Sequence, residues 1–196
     1  MFRNKNKIHL SISDFKTERT ESEPTLSEPA SEEFLKSLMD YKAKNPDAFV
    51  KDMPKAILNE KTNDTSKSTT ITKTASFLIF NNIVEIEYDP TELEINEEEF
   101  IDNINKTLNW IVDNKTTIYD GIVSDLLKLK NEDWLDQNEK QLSENQFKKQ
   151  IELTSILFYH DGSSTLGFND GSIFWGHNIM VGLSKDHKFI DAQLYG

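Results

Sequence analysis

Two Asp-Gly pairs, Asp161-Gly162 and Asp170-Gly171, sit between apolar runs in the last third of the chain. They constrain the fold more than any other feature. Glycine reaches positive φ at no steric cost, and aspartate hydrogen-bonds the backbone that follows it, so Asp-Gly between strand-forming residues signals a hairpin. The flanking runs predict strands over about 153–160, 164–168, 172–183 and 188–195. Two earlier strands, 77–80 and 83–88, meet at Asn81-Asn82, a pair that tolerates a tight turn. Asn96 stands three residues before Glu99, a capping spacing, and Phe100, Ile101, Ile104, Leu108, Ile111 and Val112 continue as a helical stripe. A second helix carries Ile118, Tyr119, Ile122, Val123, Leu126 and Leu127, and Ser143 with Gln146 starts a short third. The expected fold is α+β: an antiparallel sheet of about five to six strands with two or three helices packed on one face, preceded by a partly helical N-terminal arm.

All five prolines fall in the first ninety residues, whereas the first glycine is Gly121. Residues 1–72 balance twelve basic against twelve acidic groups, while 73–196 set ten against twenty-two and carry the whole net charge of -12. These shifts divide the chain into a low-complexity arm and linker, 1–72, and an α+β domain, 73–196. Within the arm, Ile8, Leu10 and Ile12 alternate with polar residues like a short strand. Residues 13–33 are rich in Ser, Thr, Glu and Pro and read as poorly ordered. Phe34, Leu35, Leu38 and Met39 make a helical stripe behind Ser31, and Pro46 opens a second short helix.

Alternation in the 172–183 run decides which sheet face is buried. Ile173, Trp175, His177, Ile179 and Val181 form the more apolar set. Pairing Leu183 with Lys188 places Val181 opposite Ile190, Ile179 opposite Ala192 and His177 opposite Leu194. That register puts the Trp175 indole and the His177 imidazole indoors, so Trp175→Ala is expected to be a folding defect.

The stretch from Asp170 and Gly171 through Phe174, Trp175, Gly176 and His177 to Val181 reads D-G-x-x-F-W-G-H-x-I-x-V. It resembles a signature of an uncharacterised bacterial domain family, over about residues 75–196. The resemblance implies common descent and brings no activity. Look-alike small α+β domains occur among immunity proteins of bacterial toxin systems, which is a hint by analogy.

Composition removes several chemistries. The absence of cysteine excludes disulfides, thiolate nucleophiles and Cys-containing zinc sites. His9, His160, His177 and His187 have no metal-ligand spacing, and no phosphate-cradling glycine loop precedes a helix, so neither a metal nor a cofactor is expected. The acidic field opposes nucleic acid, and no stretch is long and apolar enough to span a bilayer. A cytoplasmic location is expected, with no catalytic residue. The remaining reading is a non-catalytic protein-binding domain, an immunity-type inhibitor whose acidic surface meets a basic partner such as a toxin. Glu97, Glu98, Asp102, Asp113, Asp120, Asp125, Glu132 and Asp133 are the candidate contacts. The alternative is an enzyme with a site near Asp161, Asp170, Trp175 and His177.

Overall fold

The computed structural model describes residues 7–22 and 68–196. The chain divides into two units, residues 1–19 with 71–196, and residues 20–70. The helices expected behind Ser31 and at Pro46 lie outside the described residues.

Among the described residues seven strands form one sheet in chain order: β1 (Lys16–Ser22), β2 (Ser68–Ile79), β3 (Asn82–Tyr88), β4 (Glu152–Phe158), β5 (Ser164–Asn169), β6 (Asn178–Leu183) and β7 (Phe189–Tyr195). The architecture is α+β, with one strand more than the upper count expected. The additional strand is β1, which lies inside the segment read as poorly ordered. Its polar alternation, Lys16-Thr-Glu-Arg-Thr20, suits a charged edge strand, a placement that protects a sheet from edge-to-edge association.

The β2–β3 turn is Phe80-Asn81, one residue earlier than expected. Both have positive φ, 55° and 72°, as a two-residue type I′ hairpin demands. β3 and β4 are parallel, with Ile86 opposite Ile156, whereas β4 to β7 pair antiparallel. Parallel neighbours need a long crossover, and here it holds α1 (Glu97–Asp113), α2 (Lys115–Asp133) and α3 (Glu144–Gln150). The Asn96 side chain accepts the Glu99 N–H at 2.8 Å, and Gln146 reaches back to the Ser143 N–H at 2.9 Å, so both starts fall where expected.

Val84, Ile86 and Tyr88 of β3 are fully buried, as are Leu166 and Phe168 of β5 and Ile179 and Val181 of β6. Helix side chains meet them: Phe100 packs on Tyr88 at 5.3 Å and Tyr119 edge-on to Phe168 at 5.6 Å. Gly121 brings α2 so close to β7 that an added Cβ would collide with the Phe189 ring. Residues of opposite parity, such as Leu78 and its cross-strand partner Ile83, are exposed.

The register of the last hairpin differs from the one expected. Val181 faces Ala192 and Ile179 faces Leu194, a shift of two residues that keeps the parity of β6. Leu183 pairs with Phe189, one residue on from Lys188, and an irregularity between Val181 and Leu183 adds the second residue and leaves Ile190 exposed. The larger correction is at the start of β6. Residues 172–177 are not strand: Trp175 is 60% exposed, and His177 is only half-buried.

Candidate functional site

β5 ends at Asn169, and the next eight residues, Asp170 to His177, form a closed loop before β6. The Asp170 carboxylate is buried and organises it. It accepts N–H bonds from Ser172 at 2.9 Å, Phe174 at 2.7 Å and Gly176 at 3.2 Å. The intervening N–H groups go to backbone carbonyls: Ile173 to Asp170, Trp175 to Ser172 and His177 to Phe174. No donor from Ser172 to His177 is therefore left for a strand ladder. Local side-chain acceptors compete with secondary structure in this way, and here the carboxylate wins. Four residues of the loop have positive φ: Gly171, Ser172, Trp175 and Gly176. Holding a tryptophan at φ 58° costs about 1–2 kcal/mol, which the three bonds to Asp170 offset.

The loop splits two adjacent aromatics. Phe174 is fully buried against Trp134 and Phe147, while the Trp175 indole lies outside on Trp134 at 4.7 Å. His177 presents its ring to Trp134 at 5.0 Å, and its Nδ1 lies 2.7 Å from the Phe174 carbonyl. A carbonyl only accepts, so Nδ1 carries the proton of this bond and Nε2 is left as the acceptor of the neutral ring.

Trp134 is itself fixed from below. Lys130, 1% exposed, donates to the Trp134 carbonyl at 2.6 Å and to Glu139 at 2.7 Å. An ammonium at a helix C-terminus complements the helix dipole. The bond from Lys130, joined by the Asp136 N–H, holds the Glu139 carboxyl below the usual carboxylate range. Glu132, Asp133, Asp136 and Glu139 thus surround Trp134 in sequence, and all four are exposed.

The eight candidate acids have different fates. Glu97 turns inward, accepting the hydroxyl of buried Tyr88 at 2.6 Å, with Lys73 at 3.6 Å. Burial and Glu97 push the Tyr88 phenol up, so it stays a donor. Asp120 bonds Lys148, and Glu132 sits 3.8 Å from Lys128. Asp125 accepts the Ala192 N–H of β7 at 2.9 Å and so blocks a donor of a terminal strand of the sheet. Glu98, Asp102, Asp113 and Asp133 are exposed. Glu98 and Asp102 line one cleft beside residues 9–13, and Asp113 lines another beside His187.

Of the four residues of the alternative site, Asp170, Trp175 and His177 share the loop and Asp161 lies apart. Asp161 lies in the β4–β5 turn and bonds the Ser163 N–H and hydroxyl, whereas Asp170 lies at the opposite end of β5. Strand rise separates those ends by about 17 Å. His177 is hydrogen-bonded to a carbonyl, not to Asp170. The other histidines are dispersed: His160 near Glu92, His187 stacked on Trp110 and bonded to Thr107, and His9 exposed. Among the described residues no group of three or more His, Asp or Glu is arranged to hold a metal ion, and no helix is long and apolar enough to cross a membrane.

Sequence reasoning missed Trp134, Lys130 and Phe147 as partners of the loop. Lys130 precedes Trp134 by one helical turn, which was the only local signal.

These features define an α+β domain with a mixed sheet, a helical crossover and an aspartate-organised loop leading into β6. The model of the family described as "Uncharacterized protein conserved in bacteria (DUF2262)" matches residues 68–194, and the chain belongs to that family. The match contains the whole loop and α1, α2 and α3, and excludes residues 7–22. No curated protein and no solved structure matches the chain.

Proposed function

We propose that this chain is a non-catalytic protein-binding domain of the immunity-inhibitor kind, acting in the bacterial cytoplasm on a basic partner such as a toxin. In this reading the helices cover one face of the sheet, and recognition falls to the end of α2 and the loop beside it. The observation that carries it is Trp175. A strained, hydrogen-bonded loop holds this large apolar side chain 60% exposed on top of a second indole. Tryptophan is enriched among residues that dominate binding energy, because a rigid aromatic surface loses little entropy on docking. Glu132, Asp133 and Asp136 flank Trp134 in sequence and would steer a basic surface towards the indoles.

The test is capture from extract of the native cell on immobilised full-length chain, with bound proteins identified by mass spectrometry. The expected result is retention of a basic protein, released by salt. Trp175→Ala should weaken it about 30-fold, as an anchor residue does, and the Glu132→Lys/Asp133→Lys pair should abolish the salt dependence. Retention that ignores both variants would defeat the reading.

A further inference from the structure

Residues 7–10 belong to no helix or strand and alternate exposed with buried, and their backbone is read by side chains of a helix. Asn109 accepts the Ile8 N–H at 3.0 Å and donates to the Ile8 carbonyl at 2.9 Å. Asn105 accepts the Leu10 N–H at 2.7 Å and donates to the Leu10 carbonyl at 2.8 Å. Each carboxamide thus does what a neighbouring strand would do, offering one acceptor and one donor to the same residue. The spacing permits it. Residues i and i+4 of a helix rise about 6 Å, and residues i and i+2 of an extended chain about 7 Å. Ile8 and Leu10 are buried, while His9 between them is exposed.

Two features separate this segment from an ordinary piece of core. Its backbone is held by side chains, and among the described residues no ladder joins it to the sheet. The family match spans positions 105 and 109 and excludes residues 7–12. Open clefts of about 450 Å³ and 550 Å³ flank the segment, the first lined by Glu98 and Asp102 and the second by Asp113 together with Lys106 and His187. Glu98 and Asp102 share the first cleft with His9 of the segment and suit a basic residue there.

We propose that α1 carries a groove for an extended peptide of alternating basic and apolar residues, and that residues 7–12 are its exchangeable intramolecular occupant. The groove is distinct from the Trp175 surface. Tethering gives the resident segment an effective concentration near the millimolar range, so it masks the groove against free peptide.

The probe is a fluorescent peptide of the sequence Lys7–Ser13. The receptor is the full-length chain, either unaltered or as Ile8→Asp/Leu10→Asp, which evicts the resident segment by burying two charges. Saturable binding is expected, at least about ten-fold tighter to the double variant than to the unaltered chain. Adding Asn109→Asp, which keeps the acceptor and removes the donor, should weaken it about ten-fold. On the unaltered chain, the Ile8 and Leu10 amides should exchange hydrogen through local opening, faster than the Ile156 and Val181 amides of the central strands. A folded double variant that ignores the peptide would overturn the proposal. So would a double variant without cooperative unfolding, or Ile8 and Leu10 amides that exchange only with global unfolding, because the segment would then be core. A failed capture experiment at Trp175 would leave these outcomes unchanged.

Discussion

The two Asp-Gly turns share a dipeptide and little else. Asp161-Gly162 closes the β4–β5 hairpin in solvent, with its carboxylate bonded to one neighbour, Ser163. Asp170-Gly171 opens an eight-residue loop whose carboxylate is buried and satisfies three backbone donors. The difference is where the carboxylate lies. An exposed acceptor competes with water and adds little, whereas a buried one replaces water for every donor that it faces. The same two letters therefore give a short reversal at one end of β5 and a rigid platform at the other.

The largest test removes the carboxylates. Asp170→Ala leaves three donors without an acceptor, one of them the buried Phe174 N–H, and should cost about 4 kcal/mol, read from the urea midpoint. Asp161→Ala should cost about 0.5 kcal/mol, as surface changes do. Equal costs would break the distinction. Within the loop, Phe174→Ala should cost a similar 3–5 kcal/mol, because Phe174 is sealed between Trp134 and Phe147.

Next come the glycines. Gly171 has φ 60°, and a Cβ there would strike the Gln150 carbonyl at the end of α3. Gly171→Ala should therefore cost about 3 kcal/mol, from left-handed strain plus displacement of backbone. Gly162 has φ 85°, but the nearest atom to its Cβ would be Lys185 Cβ at an ordinary 3.4 Å. Gly162→Ala should cost about 1 kcal/mol, from strain alone. Thermal unfolding of the two variants measures the gap.

Trp175→Ala sharpens the comparison from the other side. The indole is mostly in solvent, so its loss should cost about 1 kcal/mol or less, against the folding defect that alternation alone suggested. A Trp175→Ala chain that unfolds would mean that the platform needs the indole it displays.

What the sequence made legible was whatever depends on neighbours in the chain. Asp-Gly marked both ends of β5, the 3.6-residue stripe marked α1 and α2, and strand parity placed Ile179 and Val181 in the core correctly. The same parity failed at Trp175, because Ser172–His177 reads as a strand until Asp170 is seen to take its N–H groups. Gly176 was a usable warning, since Trp-Gly inside an apolar run admits the positive φ found there. Contacts across long separations left no such trace. Asn105 and Asn109 look like polar interruptions of a helix stripe until residues 8 and 10 lie against them. The strand β1 has too few apolar residues to announce itself, because it completes a sheet that others bury.

The smallest effect is electrostatic. The Ser163 hydroxyl and then the Ser163 N–H hold the Asp161 carboxyl below its ordinary value of 3.8. A folded value below the unfolded one stabilises the native state fully above the unfolded value, and that contribution disappears as the pH falls through the folded one. The β4–β5 turn should therefore loosen only in acid below 3.8, and the Asp161 carboxyl carbon should titrate there in an NMR series. Ser163→Ala removes the larger of the two bonds and should move that titration upward towards 3.8 while leaving the Asp170 loop unaltered. An unmoved midpoint would mean that the backbone donor suffices at the exposed turn. The two turns would then differ in the number of main-chain donors they satisfy, and side-chain help at Asp161 would be incidental.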